Sequence, residues 1–376
     1  MKYKNLGNTN IPVSVIGQGC MGIGGYFSRD SSMDSSYINA LRLGIELGMS
    51  FLDTSEIYGE GHSEELVGEA IAGLRDKVFI ATKVSPENLS YNNILKSAEG
   101  SLRRLRTDYI DLYQIHWPNP RINIHETMEA MEQLIRQSKI RYIGVSNFSL
   151  RGFKEARKAL TRTGIVSIQT EYNYFDRTIE SDILPYCEQE GVTVIAYSPL
   201  DQGKIVSSNG KIQKLKVMAD NHGKTMAQIV LNWLISHHRV IAIPKAAEYK
   251  HIIENASAAD FNLPECDVGE LNNIFRQETI YVPIDRIRVN NEGLRNSSIY
   301  QTLDEALENR FGLVPSPADL ASSIHDGDFL KPVRVVKSKD VTGKCDYELV
   351  EGRIRFWAWV IAHEGKTPIP VYVRYS

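Results

Sequence analysis

Cysteine is scarce in this chain: Cys20, Cys187, Cys266 and Cys345 are the whole complement of 376 residues. They lie far apart, which excludes a close-spaced metal-ligand pattern; reduced, mostly buried thiols in a cytosolic protein are expected. Long apolar runs are missing too. None approaches membrane-spanning length, and Met1-Lys2-Tyr3-Lys4-Asn5 lacks the apolar core of a signal peptide. A cytoplasmic location without a membrane partner is the expectation. An excess of one charge sign is also lacking: the net charge of -3 gives no sign of wholesale attraction to nucleic acid or anionic membrane. Low-complexity tracts and short-period repeats do not occur. The length leaves room for one large domain plus a small one, and the hydrophobic and charged fractions are ordinary for a globular chain.

What is present is a rhythm. After a hairpin pattern over residues 2–14, short apolar runs recur at 15–17, 50–53, 78–82, 109–115, 140–145, 165–169, 192–197 and 240–243. Amphipathic helical patterns lie between them, as at 38–47, 94–105, 127–137 and 226–236. Strand alternating with helix predicts a parallel sheet, and eight such units in about 280 residues fit a closed α/β TIM barrel, (β/α)8. The alternative is a doubly wound open sheet, which usually carries a Gly-rich fingerprint after its first strand. Gly17-Gln18-Gly19-Cys20-Met21-Gly22 has that spacing. The fingerprint needs a helix to open at once, however, and Gly24, Gly25 and the serines of 28–32 prolong the loop, so the match reads as chance.

Past Phe275 the pattern changes. A strand entering a turn is expected over 281–287, a polar stretch over 290–302 and a helix over 317–325. Two strands near 332–336 and 346–350, a helix after Glu351 and a closing strand at 369–373 complete a small α+β unit. The expected domains are a barrel over 1–278 and a second unit over 279–376.

Four residues carry the chemistry. Asp53 lies in Phe51-Leu52-Asp53-Thr54-Ser55-Glu56-Ile57-Tyr58-Gly59, which also holds Tyr58; Lys83 ends Ala81-Thr82-Lys83; His116 follows Gln114-Ile115. In a barrel, polar residues at the carboxyl ends of successive strands converge on one face. A carboxylate, a phenol, an amine and an imidazole can together protonate a carbonyl oxygen without a metal.

These segments resemble the aldo-keto reductase family over residues 1 to about 276, in the family's order. The resemblance also rests on Ile115-His116-Trp117-Pro118, Gly144-Val145-Ser146-Asn147-Phe148, Gln169-Thr170-Glu171-Tyr172-Asn173 and Ala196-Tyr197-Ser198-Pro199-Leu200. It implies an NAD(P)H-dependent reduction of an aldehyde or ketone, a small-molecule carbonyl substrate, and a cofactor that carries the hydride. Tyr58 would be the proton donor, its pKa lowered by Lys83, which Asp53 holds; His116 would orient the carbonyl. Ser146, Asn147 and Gln169 align with side chains that hold the nicotinamide amide, though Ser146-Asn147 also reads as a helix cap. Tyr197 aligns with the ring that stacks on the nicotinamide. Ser198, Leu200 and the loop with Gln202, Gly203 and Lys204 align with the pyrophosphate contacts. Lys245, His251, Glu254 and Asn255 align with the adenosine end. Many members have an Arg where this chain has His251, and a point charge does not reproduce a bidentate fork; NADP is the expected cofactor, with NAD possible. Tyr26 and Trp117 are expected at the pocket mouth. A non-catalytic NADP(H)-sensing protein is the alternative, against which the intact set of four argues.

The second unit resembles the nucleotide-binding part of ParB-like domains, a group that includes sulfiredoxin. The resemblance rests on Val282-Pro283-Ile284-Asp285-Arg286-Ile287-Arg288, Leu330-Lys331-Pro332-Val333, and Tyr347-Glu348-Leu349-Val350-Glu351-Gly352-Arg353-Ile354-Arg355. It implies a nucleotide or phosphorylated ligand at a turn built from Gly352, Arg353 and Arg355. The Glu-Asn-containing box and the DNA-binding segment of the wider ParB pattern are missing, so nucleic acid is not an expected partner. Oligomeric state is left open.

Overall fold

The computed structural model describes residues 1–201, 203, 210–274, 278–289, 299–328, 330–338 and 345–374. It divides into two units, Met1–Phe275 and Arg276–Ser376.

The first unit is a curled sheet of eight parallel strands: β3 (Gln18–Gly19), β4 (Phe51–Asp53), β5 (Phe79–Val84), β6 (Ile110–Ile115), β7 (Ile140–Ser146), β8 (Ile165–Glu171), β9 (Thr193–Tyr197) and β10 (Val240–Ala242). Each is hydrogen-bonded to the next in chain order. A parallel bridge between Ile16 and Ala242 closes the ring. β5 and β6 are buried at every position, as strands covered on both faces must be, and this is why they read as near-continuous apolar runs. Leu6, Phe51, Phe79, Leu112, Ile195 and Ile241 fill the barrel interior in one cluster, and a larger cluster packs the helices around it.

The first strand differs from expectation. Its ladder with β4 forms at Gln18–Gly19 rather than at 15–17. The segment also bonds to the last strand and the residues after it, with Gly17 N donating to Ala242 O at 2.8 Å and Gly19 N to Pro244 O at 3.1 Å. The glycines permit this squeeze: a Cβ at Gly17 would lie 2.7 Å from Phe51 O, and one at Gly19 2.7 Å from Ile243 O. No helix follows until Asp34–Glu46, so the glycine pattern at 17–22 is not a dinucleotide fingerprint. The remaining expected helices form at Tyr91–Leu105, Ile124–Arg136 and Met226–Ser236. The hairpin of β1 (Tyr3–Asn5) and β2 (Pro12–Ser14) precedes the barrel. Its Lys4 ammonium donates to the carbonyls of Ile235, His237 and Val240 at 2.7, 2.6 and 2.8 Å. Burial, with Lys2 nearby, lowers the Lys4 pKa to about 7.

The second unit is a mixed five-stranded sheet in the order β11 (Ile280–Val282), β15 (Ile369–Arg374), β13 (Val333–Lys337), β14 (Tyr347–Glu351), β12 (Ile287–Val289). Helices Pro317–His325 and Arg353–Ala362 accompany it, and Val333, Val335, Leu349, Phe356 and Val371 belong to a core of its own. A further short helix, Leu303–Leu307, was not expected from the sequence; Thr302 caps it by accepting from Glu305 N. Residues 290–298 of the expected polar stretch lie outside the described residues. Among the described residues no helix is long and apolar enough to cross a membrane.

Candidate active site

The four singled-out side chains meet at the carboxyl ends of β4, β5 and β6. Asp53 ends β4, Lys83 lies near the end of β5, and His116 follows β6 directly. Tyr58 stands on a tight 3-10 turn, Tyr58–Gly61, whose next three residues all have positive φ: Gly59 at 56°, Glu60 at 56° and Gly61 at 90°. Gly59 is required there, since a Cβ would lie 2.2 Å from Gly24 O.

Lys83 is fully buried and uses its ammonium three ways. It donates to Asp53 Oδ1 at 2.6 Å, to Thr54 O at 2.8 Å and to the Tyr58 hydroxyl at 3.3 Å. Asp53, 2 % exposed, is held from the other side. Gln169 Nε2 donates to its Oδ2 at 2.7 Å and Gln114 Nε2 at 3.2 Å. A buried carboxylate with two amide donors and an ammonium has its charge paired and its lone pairs occupied. His116 Nδ1 lies 3.1 Å from Ser55 Oγ, and its ring meets Tyr58 edge-on at 5.6 Å between centroids. Gln114 and Ser55 were missed by the sequence reading; both flank recognised residues, Gln114 two places before His116 and Ser55 two after Asp53.

The electrostatics follow from burial. Burial disfavours charge on Lys83, but Asp53 and Tyr58 outweigh it, and its pKa is raised. Burial raises the Tyr58 phenol more than Lys83 lowers it, so the net shift is upward. The expected depression of the phenol is therefore corrected: the Lys83 pull exists, but desolvation wins. Burial, then the Lys83 charge, holds His116 well below the ordinary histidine value. At neutral pH the site thus holds an ammonium, a protonated phenol and a neutral imidazole. Cys20, buried in the core, has its thiol pushed up to about 12, by burial first and then by Asp53.

The residues aligned with nicotinamide contacts lie on the adjoining strands. Asn147, with φ 61°, donates to His116 O and to Ser146 Oγ at 3.0 Å each. Tyr197 OH donates to Asn147 Oδ1 at 2.9 Å. Ser146 sits opposite Gln169 in the ladder. The helix-cap alternative for Ser146-Asn147 is excluded, because Ser149 caps the helix Leu150–Ala159 by accepting from Gly152 N. Ser198 has φ 47°, and its carbonyl accepts from Asn173 Nδ2 at 3.1 Å. Leu200 packs against the core. Gly203 has φ 81° with open space where a Cβ would be; Gln202 and Lys204 lie outside the described residues. Lys245 is exposed, on the segment after β10. His251, Glu254 and Asn255 share the helix Tyr249–Ser257. His251 faces two carboxylates, Glu254 at 3.2 Å and Glu248 at 3.7 Å, which compete with any anion for it.

Around the pocket, Trp117 stacks on His116 at 3.8 Å between centroids. Tyr26 O accepts from Gly59 N at 3.0 Å, and its exposed ring lies over Gly22. Among the described residues no cluster of His, Cys, Asp or Glu could hold a metal ion.

In the second unit Gly352, φ 94°, caps the helix Arg353–Ala362. Both arginines of that turn have carbonyl partners. Arg355 Nη1 donates to Lys331 O and Pro332 O at 3.0 and 2.9 Å, and Arg353 Nη1 donates to Ile299 O at 3.2 Å. The adjacent Arg334 is buried and paired with Glu351 at 2.7 Å.

An eight-stranded parallel barrel with these groups at its carboxyl end has a family. The chain belongs to the aldo/keto reductase family of enzymes, whose model matches residues 15–276. It is 39 % identical over 270 residues to the methylglyoxal reductase YeaE of Escherichia coli strain K12, covering 72 % of this chain and 93 % of that protein. It is 35 % identical over 244 residues to a glyoxal reductase of Bacillus subtilis strain 168, covering 64 % of this chain and 84 % of the relative. Among solved structures, the thermostable aldo-keto reductase Tm1743 in complex with epalrestat superposes with a TM-score of 0.70 at 43 % identity, covering 73 % of this chain and all (100 %) of that one. An aldo/keto reductase from Klebsiella pneumoniae in complex with NADP and acetate gives a TM-score of 0.66 at 38 % identity, over 73 % and 96 % of the two chains.

Proposed function

We propose that the barrel, taken as residues 1–278, reduces an aldehyde or ketone to the alcohol with NADPH, and that Tyr58 is the general acid. The observation that carries this is the buried Lys83 ammonium, 2.6 Å from Asp53 and 3.3 Å from the Tyr58 hydroxyl. The nicotinamide, when bound, supplies a hydride to the carbonyl carbon. Negative charge then develops on the carbonyl oxygen, which takes the phenolic proton. The raised phenol pKa keeps that proton in place beforehand, and Lys83 stabilises the phenolate as it forms. His116, neutral by burial, offers a ring N–H to the same oxygen when Ser55 donates to Nδ1. Asp53 keeps Lys83 charged, and Gln114 and Gln169 hold Asp53 in place by donating to its Oδ2.

The side chains present fit the cofactor. Ser146, Asn147 and Gln169 supply amide and hydroxyl partners for a carboxamide, and Tyr197 offers a half-exposed ring. The open backbone at Gly203 and the cation Lys245 suit phosphates. NADP in the Klebsiella structure supports NADPH over NADH; the two carboxylates beside His251 weaken its use as a 2'-phosphate contact, leaving NADH as the alternative. The names of the relatives support small aldehydes, 2-oxoaldehydes among them, as substrates. The test is Tyr58→Phe with methylglyoxal and NADPH. Turnover should fall by roughly 100-fold or more, while NADPH binding, read by fluorescence, persists. Unchanged turnover would overturn the assignment.

For residues 279–376 we infer a ParB/sulfiredoxin-like unit that takes a nucleotide or phosphorylated ligand at the Gly352 turn. Gly352 at a helix start, with Arg353 and Arg355 beside it, supports this reading; both guanidinium groups would have to leave their carbonyl partners. Calorimetric titration with CTP, ATP and ADP tests it. Heat of binding lost in Arg355→Ala is expected, and the absence of any binding would remove the reading.

A further inference from the structure

His62 is 3 % exposed, lies at the start of the helix His62–Ala70 directly after the Tyr58–Gly61 turn, and takes no part in the chemistry above. Both of its ring nitrogens face carboxylates. Nδ1 is 2.8 Å from Glu65 Oε2, and Nε2 is 2.9 Å from Asp34 Oδ1 and 3.4 Å from Ser31 Oγ. A neutral imidazole has one N–H and can donate to only one of them; donating to both requires the imidazolium.

The two carboxylates belong to different pieces of chain. Glu65 is on the same helix as His62. Asp34 opens the next helix after a long loop, residues 22–33, at the barrel mouth. That loop rests on His62: a Cβ at Gly24 would lie 2.9 Å from His62 Cδ2. It also rests on the turn of Tyr58, through the bond from Gly59 N to Tyr26 O at 3.0 Å and the Gly24–Gly59 contact. A second strut, Arg29 to Glu65 at 3.0 Å, ends on the same carboxylate oxygen that faces His62. The other charges nearby are accounted for: Asp30 accepts from Ser32 N at 3.0 Å, and Arg104, packed on Gly61, is committed to Glu64 at 2.6 Å. The loop carries Tyr26 and Phe27, 38 % and 72 % exposed.

We propose that His62 is a positioning residue: bridging Asp34 and Glu65 through its two ring nitrogens, it pins the loop of residues 22–33 onto the turn that carries Tyr58, and so fixes the mouth of the carbonyl pocket. The effect on catalysis rests on the reductase reading; the pinning itself does not. Loss of the imidazole removes both bridges and loosens the loop.

The test uses the intact protein in two arms. In the first, hydrogen exchange of peptides covering residues 22–33 is compared in the wild type, His62→Gln and Asp34→Asn at one pH. The wild type should protect the loop about fivefold better than either variant; Asp34→Asn, altering a partly exposed partner, gives the readout should His62→Gln fail to fold. In the second arm, KM for methylglyoxal should rise about fivefold in His62→Gln, with kcat and NADPH affinity unchanged. Equal loop protection in wild type and variants would overturn the proposal. If no carbonyl is turned over while the exchange difference persists, the pinning stands and the reductase reading is what fails.

Discussion

Asp53 and Lys83 are one buried ion pair, and their neighbours decide what the pair can do. Gln114, fully buried on β6, donates to Asp53 Oδ2 beside Gln169. Removing one amide donor leaves Asp53 Oδ2 held by Gln169 alone and frees the carboxylate that positions Lys83. Gln114→Leu should therefore lower kcat/KM about tenfold, the scale of one hydrogen bond to a charged group. Steady-state kinetics on wild type and variant check this; a fall of less than about twofold would make Gln114 a packing residue only. His116 has a second consequence. Its folded pKa is depressed by burial, so it contributes stability above the unfolded value of about 6.5 that is lost as pH falls below it. Urea melts at pH 7 and pH 5 should show His116→Asn losing less stability between the two than the wild type does. Asp53, Lys83 and His116 were legible in the sequence because each lies at or beside the end of a recognisable run, and Tyr58 because it follows Asp53 in the same segment. The sign of the Tyr58 shift was not, since charge proximity can be guessed from sequence but the amount of water excluded cannot.

The parallel strands of the barrel are legible wherever burial on both faces removes polar residues, as in β5 and β6. Where a strand is defined by backbone approach the pattern gives less: β3 has only two residues, and glycine contacts set its register. The short helix at Leu303–Leu307 was hidden in a polar stretch, although Thr302, three residues before Glu305, is a capping signal. Between the barrel and its outer helices lies a charged element that the apolar pattern also hides. Glu64 accepts from Thr82 Oγ1 at 2.6 Å and from Arg104 Nε at 2.6 Å with no exposure of its own side chain. Burial raises its pKa against the pull of Arg104. Arg104→Met strands this carboxylate in the wall. It should cost about 3–5 kcal/mol in a urea melt, and the double variant with Glu64→Gln should recover most of the loss.

At the scale of the molecule each unit buries its own apolar residues, two clusters in the barrel unit and one in the second, and a unit with its own core can unfold on its own. Calorimetry should resolve two transitions. NADPH at about 100 times its dissociation constant should raise only one of them, by the equivalent of ~2.7 kcal/mol; a single transition moved by NADPH would show cooperative unfolding of the whole chain. Within the barrel, the strands carrying Asp53, Lys83 and His116 are consecutive, and those carrying Ser146, Gln169 and Tyr197 are the next three. The proposed proton chemistry and the proposed nicotinamide contacts thus occupy adjacent arcs of one ring. They touch through few bonds, Gln169 to Asp53 and Asn147 to His116 O among them. A crossover between β6 and β7 that preserves these bonds would make half-barrels interchangeable parts, so that recombination between relatives could exchange coenzyme preference while leaving the acid in place.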